Sequence, residues 1–153
     1  MTENSLYQTA LSRVMALCSQ REYCIEEIRS KLLQWGASDT DCESIINTLV
    51  KENFINERRY AGAFVRDKFK YNKWGRIKIA ALLRIKKIPP EIINSALNEI
   101  DTDLYYNTLR EMIMSHRTKV KAKNQYDLKG KLLRYGLSKG FESNLLYDIL
   151  NDI

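Results

Sequence analysis

The chain repeats itself, and that restricts its fold more than any other feature. Lys31-Leu32-Leu33-Gln34-Trp35-Gly36 returns as Lys131-Leu132-Leu133-Arg134-Tyr135-Gly136, and Ala81-Leu82-Leu83-Arg84-Ile85-Lys86 lies midway between them. Each copy has two Leu, then a polar residue, then a bulky apolar one. Ile45, Ile46 and Leu49 follow Gly36 at the same distances as Leu145, Leu146 and Ile149 follow Gly136. Ile92, Ile93 and Ala96 take this part in the middle copy, three residues sooner because its connecting loop is shorter. A period near 50 residues marks repeated supersecondary units.

Each unit reads as three helices. The apolar spacing places helices over 6–19, 25–35 and 40–52 in the first copy, 57–72, 76–86 and 90–99 in the second, and 102–122, 127–135 and 142–151 in the third. Ser38-Asp39 is suited to cap a helix start, since a short side-chain oxygen accepts a free backbone N–H. Gly36 sits where helices often end in a left-handed residue. Pro90 suits a first helical turn, where its missing N–H is not needed. No run of alternating polarity is long enough for a strand. Only two Pro and six Gly occur in 153 residues, which also favours helices. The expected fold is all-α: a tandem array of three three-helix repeats over 1–55, 56–100 and 101–153. Units of this size have thin cores, so neighbours are expected to bury one another's faces in an elongated or curved array.

The net charge of +6 is unevenly distributed. Residues 1–50 sum to −3, residues 51–100 to +7 and residues 101–153 to +2. A positive middle third points to a polyanion or an acidic protein surface. Cys18, Cys24 and Cys42 are odd in number and lack CxxC spacing, which fits a reducing compartment. The polar start MTENSLYQTA is not a signal peptide, and no apolar run approaches the roughly 18 residues of a membrane span. A cytoplasmic protein with no membrane contact, present as a monomer, is expected.

The basic residues of the middle unit fall on one arc. Along the helix from Glu57, the residues Tyr60, Ala61, Phe64, Val65 and Phe69 form an apolar stripe for the core. Arg59, Ala63, Arg66, Lys70 and Lys73 recur at steps of four and three and share another face. Like charges one turn apart repel by some tenths of a kcal/mol, and no Glu is interleaved on this arc. Beyond it, Trp74 is expected to wedge a helix junction and Gly75 to break the helical run. Backbone N–H groups after Gly75, with Arg76 and Lys78, suit a phosphate or carboxylate. Tyr71 or Trp74 suits stacking on an unpaired base. A second cluster, His116, Arg117, Lys119, Lys121 and Lys123, reads first as the solvated end of a long helix.

No catalytic constellation emerges. His116 is the only His and has no Cys beside it, against a His-rich metal site or a nucleophile triad. Neither GxxxxGK[ST] nor GxGxxG occurs. The acidic pairs Glu26-Glu27 and Asp39-Asp41 sit near helix starts, where they are favourable structurally. The sequence reads as a binding protein without cofactor or metal.

Taken together, these residues resemble the RecX family, regulators of bacterial RecA recombinase. In the first unit the likeness runs through Ala10-Leu11, Arg21-Glu22-Tyr23-Cys24, Glu27-Ile28, Lys31-Leu32 and Gly36. In the second it runs from Phe54-Ile55-Asn56-Glu57-Arg58-Arg59-Tyr60-Ala61 through Phe64-Val65, Lys68, Gly75, Ile79 and Leu83 to Lys86-Lys87-Ile88, Ile92 and Ala96-Leu97. Lys139-Gly140-Phe141 matches a further element in the third. Cys24 departs from the usual Ser, Lys87 from the usual Gly and Asn56 from a common Asp. The resemblance implies tandem three-helix repeats that bind in the groove of the RecA–DNA filament and inhibit strand exchange, ATP hydrolysis and stimulated repressor cleavage. Arg59, Arg66, Lys70, Lys73, Arg76 and Lys78 are the expected filament-binding residues, with weaker direct contact to single- or double-stranded DNA. The alternative is a stand-alone helical DNA-binding module, since three-helix units can dock a helix in a groove.

Overall fold

The computed structural model describes residues 3–153, with side chains from Leu6 onward. Residues 1–2, which open the first expected unit, lie outside the described residues. Among the described residues there are nine helices and no strands: α1 (Glu3–Cys18), α2 (Ile25–Gln34), α3 (Asp39–Lys51), α4 (Glu57–Lys70), α5 (Arg76–Ile85), α6 (Pro90–Asn98), α7 (Thr102–Arg117), α8 (Gln125–Ser138) and α9 (Ser143–Asn151). None is long and apolar enough to cross a membrane.

The local chemistry that sets these bounds is largely side-chain capping. Ser38 accepts from Asp41 N at 3.1 Å, as expected, and Asn56, Asp101 and Asn124 do the same for α4, α7 and α8. At α2 the direction reverses: the Cys24 N–H donates to Glu27 Oε1 at 3.0 Å. Pro90 occupies the first turn of α6. The long helix expected over 102–122 stops at Arg117, five residues early, and α8 starts at Gln125 behind its Asn124 cap. The helix expected over 57–72 also ends early, at Lys70. Lys73 then adopts φ 55°, and Trp74 N reaches back to Lys68 O at 3.1 Å, so the chain is turned by lysine and not by Gly75.

The repeat is real, but its register differs from the one the sequence suggests. In each unit the second helix ends at a left-handed residue: Gly36 (φ 91°), Lys87 (φ 60°) and Gly140 (φ 90°). Aligned on these, Ile28, Leu32, Cys42, Ile45 and Ile46 correspond to Ile79, Leu83, Ile93, Ala96 and Leu97, and then to Leu132, Gly136, Leu146, Ile149 and Leu150. All fifteen are buried. The middle copy is thus one residue further on than the Leu-Leu match, and the third is four residues further on. A slip of four is about one helical turn, so the apolar pattern survives it. Gly136 stands inside α8 and does not end it; a Cβ there would lie 2.2 Å from Leu146 Cδ2. The larger residue has moved across: Leu32 and Cys42 in the first unit become Gly136 and Leu146 in the third.

The buried side chains form two clusters. Val14, Tyr23, Ile28, Leu32, Cys42, Ile45, Ile46, Leu49 and Ile55 pack within the first unit. The second and third share one continuous core from Tyr60 to Leu150, into which Cys24 of the first unit also inserts. Burial pushes the Cys24 thiol up to about 11, so it stays neutral as a core residue. Mutual burial therefore holds strongly for units two and three. The accessible surface of 9487 Å² exceeds the about 8,000 Å² of a compact monomer of this mass, in keeping with an extended array.

Lys87 is the non-glycine member of the three left-handed residues that end the second helices of the units, and its 3.5 Å ion pair to Glu26 is exposed. Left-handed backbone costs such a residue roughly 1–2 kcal/mol, partly offset by the greater freedom of unfolded glycine. Lys87→Gly is expected to stabilise the fold by about 0.5–1 kcal/mol, raising the thermal midpoint by about 2 °C in a calorimetric scan. An unchanged or lower midpoint would show that Lys87 is unstrained.

Candidate functional site

The α4 wheel holds as drawn on its apolar side: Tyr60, Ala61, Val65 and Phe69 are buried and Phe64 is half-buried. On the polar side the six expected binding residues separate into two groups. Arg59 is not free, as its arc position suggested. Its guanidinium meets Glu22 Oε2 at 2.9 Å and the Asn53 carbonyl at 3.0 Å, tying the first unit to the second. The sequence spacing could not show this, because Glu22 comes from another unit. Arg66, Lys70 and Lys73 are exposed and have no ion-pair partner among the described residues. Lys73 lies past the end of α4, yet it lines the same groove as Arg66 and Lys70.

Arg76 and Lys78 belong to a joint. The anion site expected at the start of α5 is already occupied by the third unit. Gly75 N donates to Lys139 O at 2.7 Å, Arg76 N to Tyr105 Oη at 2.9 Å, and Ile77 N to Gly140 O at 3.0 Å. The Arg76 guanidinium pairs with Glu142 at 2.8 Å and lies 3.9 Å from the centre of the Tyr105 ring. Tyr105 donates to the same Glu142. Burial, then that hydrogen bond, raises the Tyr105 pKa well above the usual phenol range, so it remains a neutral donor. Rings continue the joint: Phe69 stacks on Tyr105 at 5.6 Å, and Tyr105 meets Phe141 at a tilt with centres 5.1 Å apart. Trp74 is half-buried against the shared core, with Lys68 and Lys78 ammonium groups 5.1 and 4.5 Å from its ring centre. This agrees with its expected wedging role and leaves Tyr71, 72% exposed, as the ring open to a ligand.

The joint assembles a cleft from two units. Tyr71, Asn72 and Lys73 form one side, and His116, Lys119, Tyr135 and Lys139 the other, around a volume of about 400 Å³. His116 and Tyr135 stack face to face at 3.7 Å, which fixes the wall that carries Lys119. Lys139 is the residue the charge pattern missed; it stands alone in sequence and is brought beside the cations of the second unit by the Gly75 hydrogen bond to its carbonyl and the Ile77 hydrogen bond to Gly140. Glu111 is the single acid of the cleft. Cations flanking an exposed ring suit a phosphate-bearing strand.

A curated relative from Mannheimia succiniciproducens, "Regulatory protein RecX", is 31% identical over 147 residues, covering 94% of this chain and 93% of its own. The chain belongs to the RecX family. A Clostridium perfringens "Regulatory protein RecX" is 30% identical, and there the match covers 84% of this chain and 58% of the longer relative. The family model described as "RecX, second three-helix domain" matches residues 56–97, the stretch that bears the basic arc. The fold agrees with solved structures. A crystal structure of regulatory protein RecX superposes with TM-score 0.87 at 21% identity, covering 96% of this chain and 72% of that one. RecX from Lactobacillus salivarius superposes with TM-score 0.83 at 20% identity over 95% of each.

The cleft depends on the approach of two glycines. A Cβ on Gly75 would stand 2.3 Å from Gly140 O, a backbone atom that no rotamer change can move. Gly75→Ala is therefore expected to destabilise by about 2 kcal/mol or more in denaturant unfolding. Gly62→Ala, whose Cβ would meet only the flexible Arg66 Nη1 at 3.1 Å, serves as the tolerated control. Equal stability of the two variants would contradict the crossing.

Proposed function

We propose that this chain binds the nucleoprotein filament of a RecA recombinase and restrains its strand exchange, ATP hydrolysis and stimulated repressor cleavage. It does so in the cytoplasm, by binding alone, as a monomer with no cofactor. The three units, over 1–55, 56–100 and 101–153, follow the filament groove, and bare DNA is a weaker ligand. The observation that carries this reading is the cation row Arg66, Lys70 and Lys73, without an ion pair among the described residues, running into the cleft with Lys119, Lys139 and exposed Tyr71.

Family membership supports the regulatory role, and the extended array supports contact along a groove. Of the six residues expected from sequence, Arg66, Lys70 and Lys73 contribute directly in this reading. Lys78 is half-buried against Trp74, and Arg59 and Arg76 act by holding the units together. The Glu142 carboxylate and the Glu22 carboxylate already neutralise those two arginines, so they add little to the field outside.

The test is anisotropy binding to labelled single-stranded DNA, bare and recombinase-coated, over a salt series. The wild-type chain is expected to prefer the coated strand. Arg66→Glu with Lys70→Glu weakens binding and flattens its log–log salt slope by about 1.4, roughly 0.7 per cation lost on a single strand, whereas Arg59→Ala leaves the affinity within about twofold. Equal or better binding to bare DNA would favour the stand-alone DNA-binding module. Unchanged affinity of the charge-reversed variant across the salt series would remove the basic row from the interface.

A further inference from the structure

Beside the basic cleft lies a groove of different character. Its volume is about 600 Å³ and it runs between α4 and α7, closed below by the end of α6. Val65 and Phe69 on α4 and Leu104 and Thr108 on α7 line it, each pair one helical turn apart, with Ala96 and Ile100 in the floor. Leu104 is 55% exposed in this groove, more than its own fold uses. The rims are charged and opposed. Arg66, Lys70 and Lys73 stand on the α4 side; Glu99, Asp101 and Glu111 stand at the α6–α7 side.

The two rims discriminate between ligands. A phosphate backbone is attracted by one wall and repelled by three carboxylates on the other. An apolar floor offers nothing to a hydrated polyanion but does remove apolar side chains from water. Helical walls on both sides, each with one-turn side-chain spacing, suit a third helix with anchors at i, i+3, i+4 and i+7. Charged rims then select the flanks of the occupant.

We propose that the α4–α7 groove docks an amphipathic helix of a protein partner, its acidic flank along Arg66, Lys70 and Lys73 and its basic flank along Glu99 and Glu111. The argument is charge complementarity across an apolar floor. The inference goes beyond the filament reading, because it gives Arg66 and Lys70 a protein ligand whichever protein supplies the helix. Lys73 and Glu111 border both this groove and the polyanion cleft, so a partner helix and a phosphate strand lie side by side when both are bound.

The probe is a synthetic helical peptide of roughly 18 residues with a leucine face, Glu along one flank and Lys along the other. It is titrated into the full chain by fluorescence anisotropy, beside versions with Glu on both flanks or Lys on both. The mixed-flank peptide is expected to bind at least about tenfold tighter than either. Leu104→Asn, a change at an exposed position, lowers that affinity at least about fivefold while the melting curve is unchanged. Glu99→Lys with Glu111→Lys shifts the preference to the all-Glu peptide, a readout that a folding defect does not produce. Absence of binding, or equal binding of all three peptides, overturns the proposal. So does a thymidine oligonucleotide whose own binding Leu104→Asn weakens as much as the peptide's, or a concentration-dependent dimer that Leu104→Asn dissociates, since these assign the groove to nucleic acid or to a second copy. If recombinase-coated DNA fails to bind while the peptide results hold, the filament reading fails and the groove stands.

Discussion

At the crossing of Gly75 and Gly140, two backbones meet with no side chain between them. A Cβ on Gly140 would lie 2.2 Å from Lys78 Cβ, and one on Gly75 would enter the Gly140 carbonyl. This closeness lets the start of α5 spend its unpaired N–H groups on Lys139 and Gly140 carbonyls and on the Tyr105 hydroxyl. A helix start and a helix end, which each leave backbone groups unpaired, satisfy one another across units. Tyr105 and Phe141 then fill the space below, and Arg76 and Glu142 close it from the side. The second and third units consequently share one packed core, and the cleft spans the joint between them.

The joint between the first and second units is built differently. Arg59–Glu22, Lys86–Glu27 and Lys87–Glu26 bridge it at 2.9, 3.5 and 3.5 Å, all at least partly open to water. Glu57 reaches the Ile25 N–H at 3.5 Å, and burial raises its carboxyl above the usual range. Exposed ion pairs of this kind contribute about 0–1 kcal/mol each and weaken with salt. Cys24 and Tyr60 supply the apolar part of the contact. The array thus has one joint fixed by backbone contact and one made of exposed ion pairs around a small apolar contact.

The repeat, the helices and the apolar face of α4 were legible because they rest on local periodicity. Ser38 and Pro90 were legible as helix starts because capping is a property of a few adjacent residues. The register of the third unit was not, since Gly136 and Gly140 differ by one turn and the helical pattern tolerates that slip. Lys73 and Lys87 hid two left-handed turns, because lysine carries no signal for that conformation. The pairing of Arg59 and Arg76 was invisible for another reason: Glu22 and Glu142 lie 37 and 66 residues away. A wheel shows which residues share a face, and a partner from another unit can neutralise that face without leaving a mark on it. Lys139 illustrates the converse, a lone cation brought into a cluster by a backbone hydrogen bond.

Among the groups left exposed after this pairing, one set forms a continuous surface: a basic row, a cleft with an open tyrosine, and an apolar groove that shares Lys73 and Glu111 with the cleft. A protein–DNA composite presents both kinds of ligand, which is why a filament suits the whole surface better than either component alone. The direct test is the ATPase rate of a RecA recombinase on single-stranded DNA, measured as this chain is titrated in, alongside Lys73→Glu with Lys139→Glu. A saturable fall in rate with the wild-type chain, lost in the double variant at unchanged fold stability, is the predicted result. A rate unaffected by the wild-type chain, under conditions where it binds bare DNA, would contradict the account.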